Sequence, residues 1–151
     1  MVRKIKDLKY YEAVGRRKEA VAVVRLYIVG KDKDVTVQGN KIKAGELFFN
    51  KKPIEVAFPL AYQKAQYLLP LKLTNNLDRF AISIISSGGG INGQLDAIIL
   101  GLSRAIQIID RETFRPVLKK QGLLTRDPRA RERRKVGTGG KARRQKQSPK
   151  R

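Results

Sequence analysis

A chain of 151 residues with 34 Lys or Arg, 13 Asp or Glu and neither His nor Cys carries a formal charge of +21, a balance that points to a polyanionic partner. The missing residues exclude disulfides, thiol nucleophiles, imidazole bases and zinc sites of the Cys/His kind. No apolar run approaches the ~20 residues needed to cross a bilayer, and the N-terminus lacks the apolar core and cleavage site of a secretory leader, so the expectation is a cytoplasmic protein, with an organellar one left open.

Met1 to Lys9 shows no strong period and is expected to be a loose or briefly ordered lead. Tyr10 to Val14 begins a strand that Gly15 interrupts, and Ala20 to Val29, rich in β-branched and aromatic side chains, is its expected partner. Lys31 to Asp34 forms a polar turn, Val35 to Val37 a short strand, and Gln38-Gly39-Asn40 turns the chain again. Ala44 to Asn50 is expected as a short helix. Pro53, Pro59 and Pro70 then bar a long helix, leaving about two or three turns between Leu60 and Leu69.

Arg79 to Ile85 alternates Phe80, Ile82 and Ile84 with Ala81, Ser83 and Ile85, the pattern of a central strand. From Gly93 to Asp110, Leu95, Ile98, Ile99, Leu102, Ile106 and Ile109 recur at helical spacing, so this helix must lie against the sheet. A second helix, Glu112 to Gln121, admits Pro116 in its first turns and stops at Gly122. Leu123 and Leu124 are expected to pin the end of the body.

Residues 1–125 therefore form one expected domain, net +11, and residues 126–151 a tail. The tail holds twelve Lys or Arg against Asp127 and Glu132, net +10, and Val136 is its only large apolar side chain. Two alanines and one valine do not offset an ordering entropy of roughly 1 to 2 kcal/mol per residue, so the tail is expected to be disordered until a polyanion supplies counter-charge. Its charges are mostly Arg, which binds phosphate through a planar fork, and no aromatic residue follows Phe114.

Two stretches of the body could also meet phosphate. Gly15-Arg16-Arg17-Lys18 puts three cations at a break between strands, where a clamp and a solvated turn are both sensible. Gly88-Gly89-Gly90-Ile91-Asn92-Gly93 satisfies GxGxxG between an expected strand and an expected helix. A dinucleotide site, a structural turn and an RNA-backbone contact all fit that pattern, although the chain after the second helix leaves no room for the next parallel strand of a βαβ unit. The serines have no His or Cys beside them to activate them, and the acids are scattered, so no catalytic residue is assigned.

Five stretches in order, namely Gly15-Arg16-Arg17-Lys18, Gly88-Gly89-Gly90 with Gly93-Gln94, Ala97-Ile98 to Arg104-Ala105, Gly122 to Asp127, and Glu132-Arg133-Arg134-Lys135, together with the terminal Lys150-Arg151, resemble the bacterial-type family of small-subunit ribosomal protein nine. The resemblance implies an α/β, two-layer α+β fold, a β-sheet backed by helices through a left-handed βαβ crossover, with a long basic C-terminal tail. It implies a non-catalytic place in the head of the small ribosomal subunit, without cofactor or metal, beside neighbouring ribosomal proteins and away from membrane. The rRNA-binding residues it suggests are Arg16, Arg17, Lys18, Gly88, Gly89, Gly90, Arg126, Arg129, Arg131, Arg133, Arg134, Lys135, Lys141, Arg143 and Arg144. Lys150 and Arg151 would reach the peptidyl-site tRNA. Where the family usually has aromatic residues in the tail, this chain has Val136 and Ser148-Pro149. A nucleoid-type DNA-binding protein and a dinucleotide-binding enzyme remain the alternatives from other classes.

Overall fold

The computed structural model describes residues 2–5, 8–29, 34–37 and 39–136. In chain order the elements are β1 (Val2–Ile5), β2 (Leu8–Arg17), β3 (Ala20–Ile28), β4 (Val35–Val37), β5 (Asn40–Ile42), β6 (Leu47–Phe49), β7 (Lys52–Pro53), α1 (Ile54–Ala57), α2 (Ala61–Leu73), β8 (Phe80–Ser87), α3 (Ile91–Ile109) and α4 (Arg111–Lys120). Six strands form one mixed sheet in the order β1-β2-β3-β8-β6-β7, and β4 and β5 form a separate hairpin. The mixed sheet backed by helices is the fold class expected from the sequence.

β2 and β3 pair from Tyr10 opposite Tyr27 to Arg17 opposite Ala20, so the hairpin turns at Lys18 and Glu19. Alternation then sorts the side chains. Ala20, Ala22, Val24 and Leu26 of β3 are fully buried on the helical face, with Phe80, Ile82 and Ile84 of β8 beside them. α3 lies across β2 and β3 and covers this face. It buries Leu95, Ile98, Leu102 and Ile106, and each such side chain contributes about 1.5–3 kcal/mol relative to exposure. α2 packs on α3, and Leu118 of α4 closes the same core. On the opposite face a smaller cluster, Tyr10, Tyr27, Val35, Val37, Ile42 and Ala81, forms where the β4–β5 hairpin folds over one end of the sheet.

Of the two alternatives for the lead, the brief order is the one seen: β1 pairs with β2 from Val2 opposite Tyr11 to Ile5 opposite Leu8, order that comes from the ladder and leaves no residue period. Three expectations are corrected. Gly15 does not interrupt β2; it sits opposite Ala22 in the ladder, and an added Cβ there would meet Ala97 O at 1.9 Å and Gly101 N at 2.5 Å. It is small because α3 crosses at that point. The helix expected over 44–50 is instead a turn followed by β6, which runs parallel to β8 with Leu47 opposite Ile82 and Phe49 opposite Ile84. Leu47 and Phe49 are buried while Phe48 between them is half-buried, so the local pattern is a strand's. Finally, α2 runs through Pro70 to Leu73. Pro70 removes one helical donor, but the buried Thr74 hydroxyl donates to the Pro70 carbonyl at 2.9 Å and the Asn76 amide to Leu71 O at 2.9 Å, which secures the helix end. α1 and α2 thereby connect the parallel neighbours β6 and β8 in a β–helix–β crossover.

Candidate nucleic-acid interface

The cations of Gly15-Arg16-Arg17-Lys18 part company because three of these four residues lie in a strand. Lys18 occupies the exposed hairpin tip with φ 52. Arg16 is exposed and opposite Val21, on the face away from α3, whereas Arg17 points to the α3 side. Only 13% of the Arg17 side chain is exposed. Its Nε donates to Asp96 Oδ2 on α3 at 3.2 Å, its Nη2 lies 3.0 Å from Asp127 Oδ2, and its Nη1 donates to Arg129 O at 2.6 Å and more loosely to Asp127 O at 3.4 Å.

The glycine run sits directly over this hairpin. Gly88 and Gly89 adopt φ 73 and 63, a region other residues avoid, and both press on the turn: an added Cβ would lie 2.6 Å from Glu19 O at Gly88 and 2.9 Å from Ala20 Cβ at Gly89. Gly90 differs, with φ −101 and open space around its Cα. It is the N-cap of α3, whose first turn has neither a side-chain cap nor an acidic residue. The Gln94 amide bonds Gly90 O at 2.9 Å, so the amides of residues 91–93, which precede the first helical bond, form the positive end of the helix dipole.

The tail begins beside both. Leu123 and Leu124 pack on the core as expected, and residues 126–135 continue without regular secondary structure. Asp127 forms a fork with Arg129, whose Nη2 stands 2.6 Å from Oδ2, and accepts the Arg129 amide at 2.9 Å. Those bonds, the side-chain fork first, together with the charge of Arg17, hold the Asp127 carboxyl well below the usual carboxylate range. Beyond this point Ala130 and Arg131 form one wall of a groove of about 960 Å³; Arg17, Lys18, the acidic Glu19, Gln63 and residues 89–93 form the rest.

Three stretches that lie far apart in sequence thus meet at one basic edge. Lys18, the Gly88–Gly90 turn and Arg131 are brought together; Arg16 faces the other side of the sheet, and Arg126, Arg129, Arg133, Arg134 and Lys135 extend along the exposed tail. Lys141, Arg143, Arg144, Lys150 and Arg151 lie outside the described residues. Sequence reasoning missed Gln63 as part of the groove and Asp96 and Asp127 as partners of Arg17. Those partners stand 79 and 110 residues from Arg17, and no local pattern announces pairs at that separation.

Other chemistries find little support in the same geometry. The GxGxxG segment does link a strand to a helix, but α3 leads into α4 and then into irregular chain, so among the described residues no further parallel strand completes a dinucleotide-binding unit. No group of three or more acidic, His or Cys side chains gathers to hold a metal among the described residues. No helix among them is long and apolar enough to cross a membrane.

Comparison with known proteins agrees with the sequence resemblance. A family model described as ribosomal protein S9/S16 matches residues 15–151. The small ribosomal subunit protein uS9 of Maridesulfovibrio salexigens is 43% identical over 135 residues, covering 89% of this chain and 91% of that protein. The small ribosomal subunit protein uS9 of Chlorobium limicola is 41% identical over 127 residues, covering 83% and 86% respectively. With the match running from the β2–β3 hairpin through the glycine turn to the end of the tail, the chain belongs to the ribosomal protein S9/S16 family.

Proposed function

We propose that the chain is a non-catalytic structural constituent of the small ribosomal subunit, binding rRNA through the basic edge of its body and through its tail, on cytoplasmic ribosomes. The observation that carries this reading is the meeting of Lys18, the α3 N-terminus and Arg131 on one groove. Backbone amides at a helix end suit a phosphate, cations on either side suit the next ones, and the absence of aromatic side chains after Phe114 suits contact with backbone and shape. Arg16, Lys18, the Gly88–Gly90 backbone, Arg126, Arg129, Arg131, Arg133, Arg134, Lys135, Lys141, Arg143 and Arg144 bind rRNA in this reading. Arg17 contributes by holding the tail root. Lys150 and Arg151 reach the peptidyl-site tRNA and meet its backbone without reading its sequence.

Sedimentation of a lysate through a sucrose gradient tests the main claim. The protein is expected with small subunits and resistant to a moderate salt wash; recovery at the top of the gradient, or with DNA, would overturn the reading. Deleting Lys150 and Arg151 tests the finer one. Faster dissociation of peptidyl-site tRNA from otherwise normally assembled subunits is expected, and an unchanged rate argues against a tail contact.

A further inference from the structure

We infer that Arg17 is a positioning residue, a latch that fixes where the basic tail leaves the body, and that it is not itself a phosphate ligand. Its guanidinium is shielded, and every one of its nitrogens is engaged inside the protein. One edge is bound to Asp96 on α3; the remaining nitrogens hold the Asp127 carboxylate and the carbonyls of residues 127 and 129. Bonds to carbonyls matter most here, because they grip the backbone path of the tail whatever its side chains do. Pro128 between them narrows the available φ, and the Asp127–Arg129 fork closes the turn from the outside. A lysine would keep the charge but lose the planar fork that reaches a carboxylate and two carbonyls together.

The latch has a consequence for the groove. Residues 127–129 are held against α3, so Ala130 and Arg131, the next two, are delivered to the wall facing the Gly89–Gly93 backbone. Without the latch the tail keeps its charge and loses its starting point. Its phosphate contacts could still form, but the cost of ordering the chain would be met on binding. This second consequence rests on the rRNA reading; the latch itself does not.

The chain has no cysteine, so paired cysteines introduced at exposed positions, Lys72→Cys on α2 and Ala130→Cys beyond the latch, take spin labels at two sites only. In the free full-length protein the label–label distance distribution is expected to be narrow. Arg17→Ala should broaden it several-fold and Arg17→Lys to an intermediate width, with a cooperative thermal melt retained. A parent distribution already broad, or one unchanged in Arg17→Ala, overturns the latch; should Arg17→Ala not fold, Arg17→Lys and Asp127→Asn decide by the same measure. Binding to a small-subunit rRNA transcript then separates positioning from direct contact. Arg17→Lys and Arg17→Ala should weaken binding with the slope of log K against log salt unaltered, whereas removal of a true phosphate ligand by Arg17→Ala would lower that slope by about 1. A parent protein that binds no rRNA but gives the narrow distribution sinks the rRNA reading and leaves the latch standing.

Discussion

Glycine plays three different physical roles in this chain, and each predicts a different response to the same added methyl group. At Gly15 the obstacle is backbone: Ala97 O would lie 1.9 Å from a new Cβ, and a helix backbone has no rotamer to give. Gly15→Ala should therefore push α3 off the sheet and destabilise by at least about 1–3 kcal/mol, read as a clear fall in Tm of the free protein. At Gly88 and Gly89 both the positive φ and the pressure on Glu19 and Ala20 resist substitution. Gly90 has ordinary φ and nothing within 4 Å. Gly90→Ala, at an N-cap with ordinary φ, should cost no more than about 1 kcal/mol yet weaken rRNA binding, because its open surface is where a phosphate would approach. Equal binding by this variant would take the glycine turn out of the interface. None of these distinctions is visible in the letters Gly-Gly-Gly; a glycine in a motif shows that space or φ is needed, and the neighbour across the fold shows which.

Among the elements, the tail root behaves as an unusual one, ordered by ion pairs and carbonyl bonds without a ladder or a helix. Its acid response follows from Asp127, whose carboxyl is held low first by the Arg129 fork. A carboxylate whose folded pKa is depressed contributes in full above its unfolded value, near 4, and loses that contribution as pH falls through the folded value. The root should thus stay attached from neutral pH down to about 5, start to loosen below about 4, and be released only in strong acid. The Lys72→Cys and Ala130→Cys labels report this directly; broadening already between pH 7 and 5 would count against the fork as its fastener. The strands show how far local pattern reaches. β3 and α3 were legible because each buries a periodic face, and β8 because it is a short run rich in apolar and β-branched residues, buried on both faces. β1 and β6 were not, because β1 is ordered by pairing with β2 and β6 has only three residues, too few for a period to declare itself against good helix formers nearby.

For the whole molecule, the core is confined to the body while the charge is shared almost evenly, net +11 in the body and +10 in the tail. The body contains both hydrophobic clusters, so removal of residues 137–151 should leave a cooperative melt with Tm nearly unchanged. The truncated protein should bind rRNA more weakly and with a shallower salt dependence. Every phosphate that the protein no longer neutralises lowers the slope by about 0.7–0.9, and residues 137–151 hold six Lys or Arg. A slope unaltered by truncation would mean that this half of the tail stays off the RNA. Cutting earlier, after Thr125, should do more than remove charge, since it also takes Asp127 and Arg129 away from Arg17 and leaves a shielded guanidinium without its partners there.

Composition and pattern alone determined that the chain is basic, without Cys or His chemistry, built as a folded body with a charged tail, and centred on a strand and a long amphipathic helix. These follow from properties summed over many residues or repeated at a fixed period, which need no knowledge of distant contacts. Only the tertiary structure decided that Gly15 is a crossing point, that Pro70 lies inside a helix, and that two adjacent arginines have opposite fates. Arg16 and Arg17 differ by one residue, and a strand sends successive side chains to opposite faces; which face carries α3, Asp96 and Asp127 is settled by segments 79 and 110 residues away.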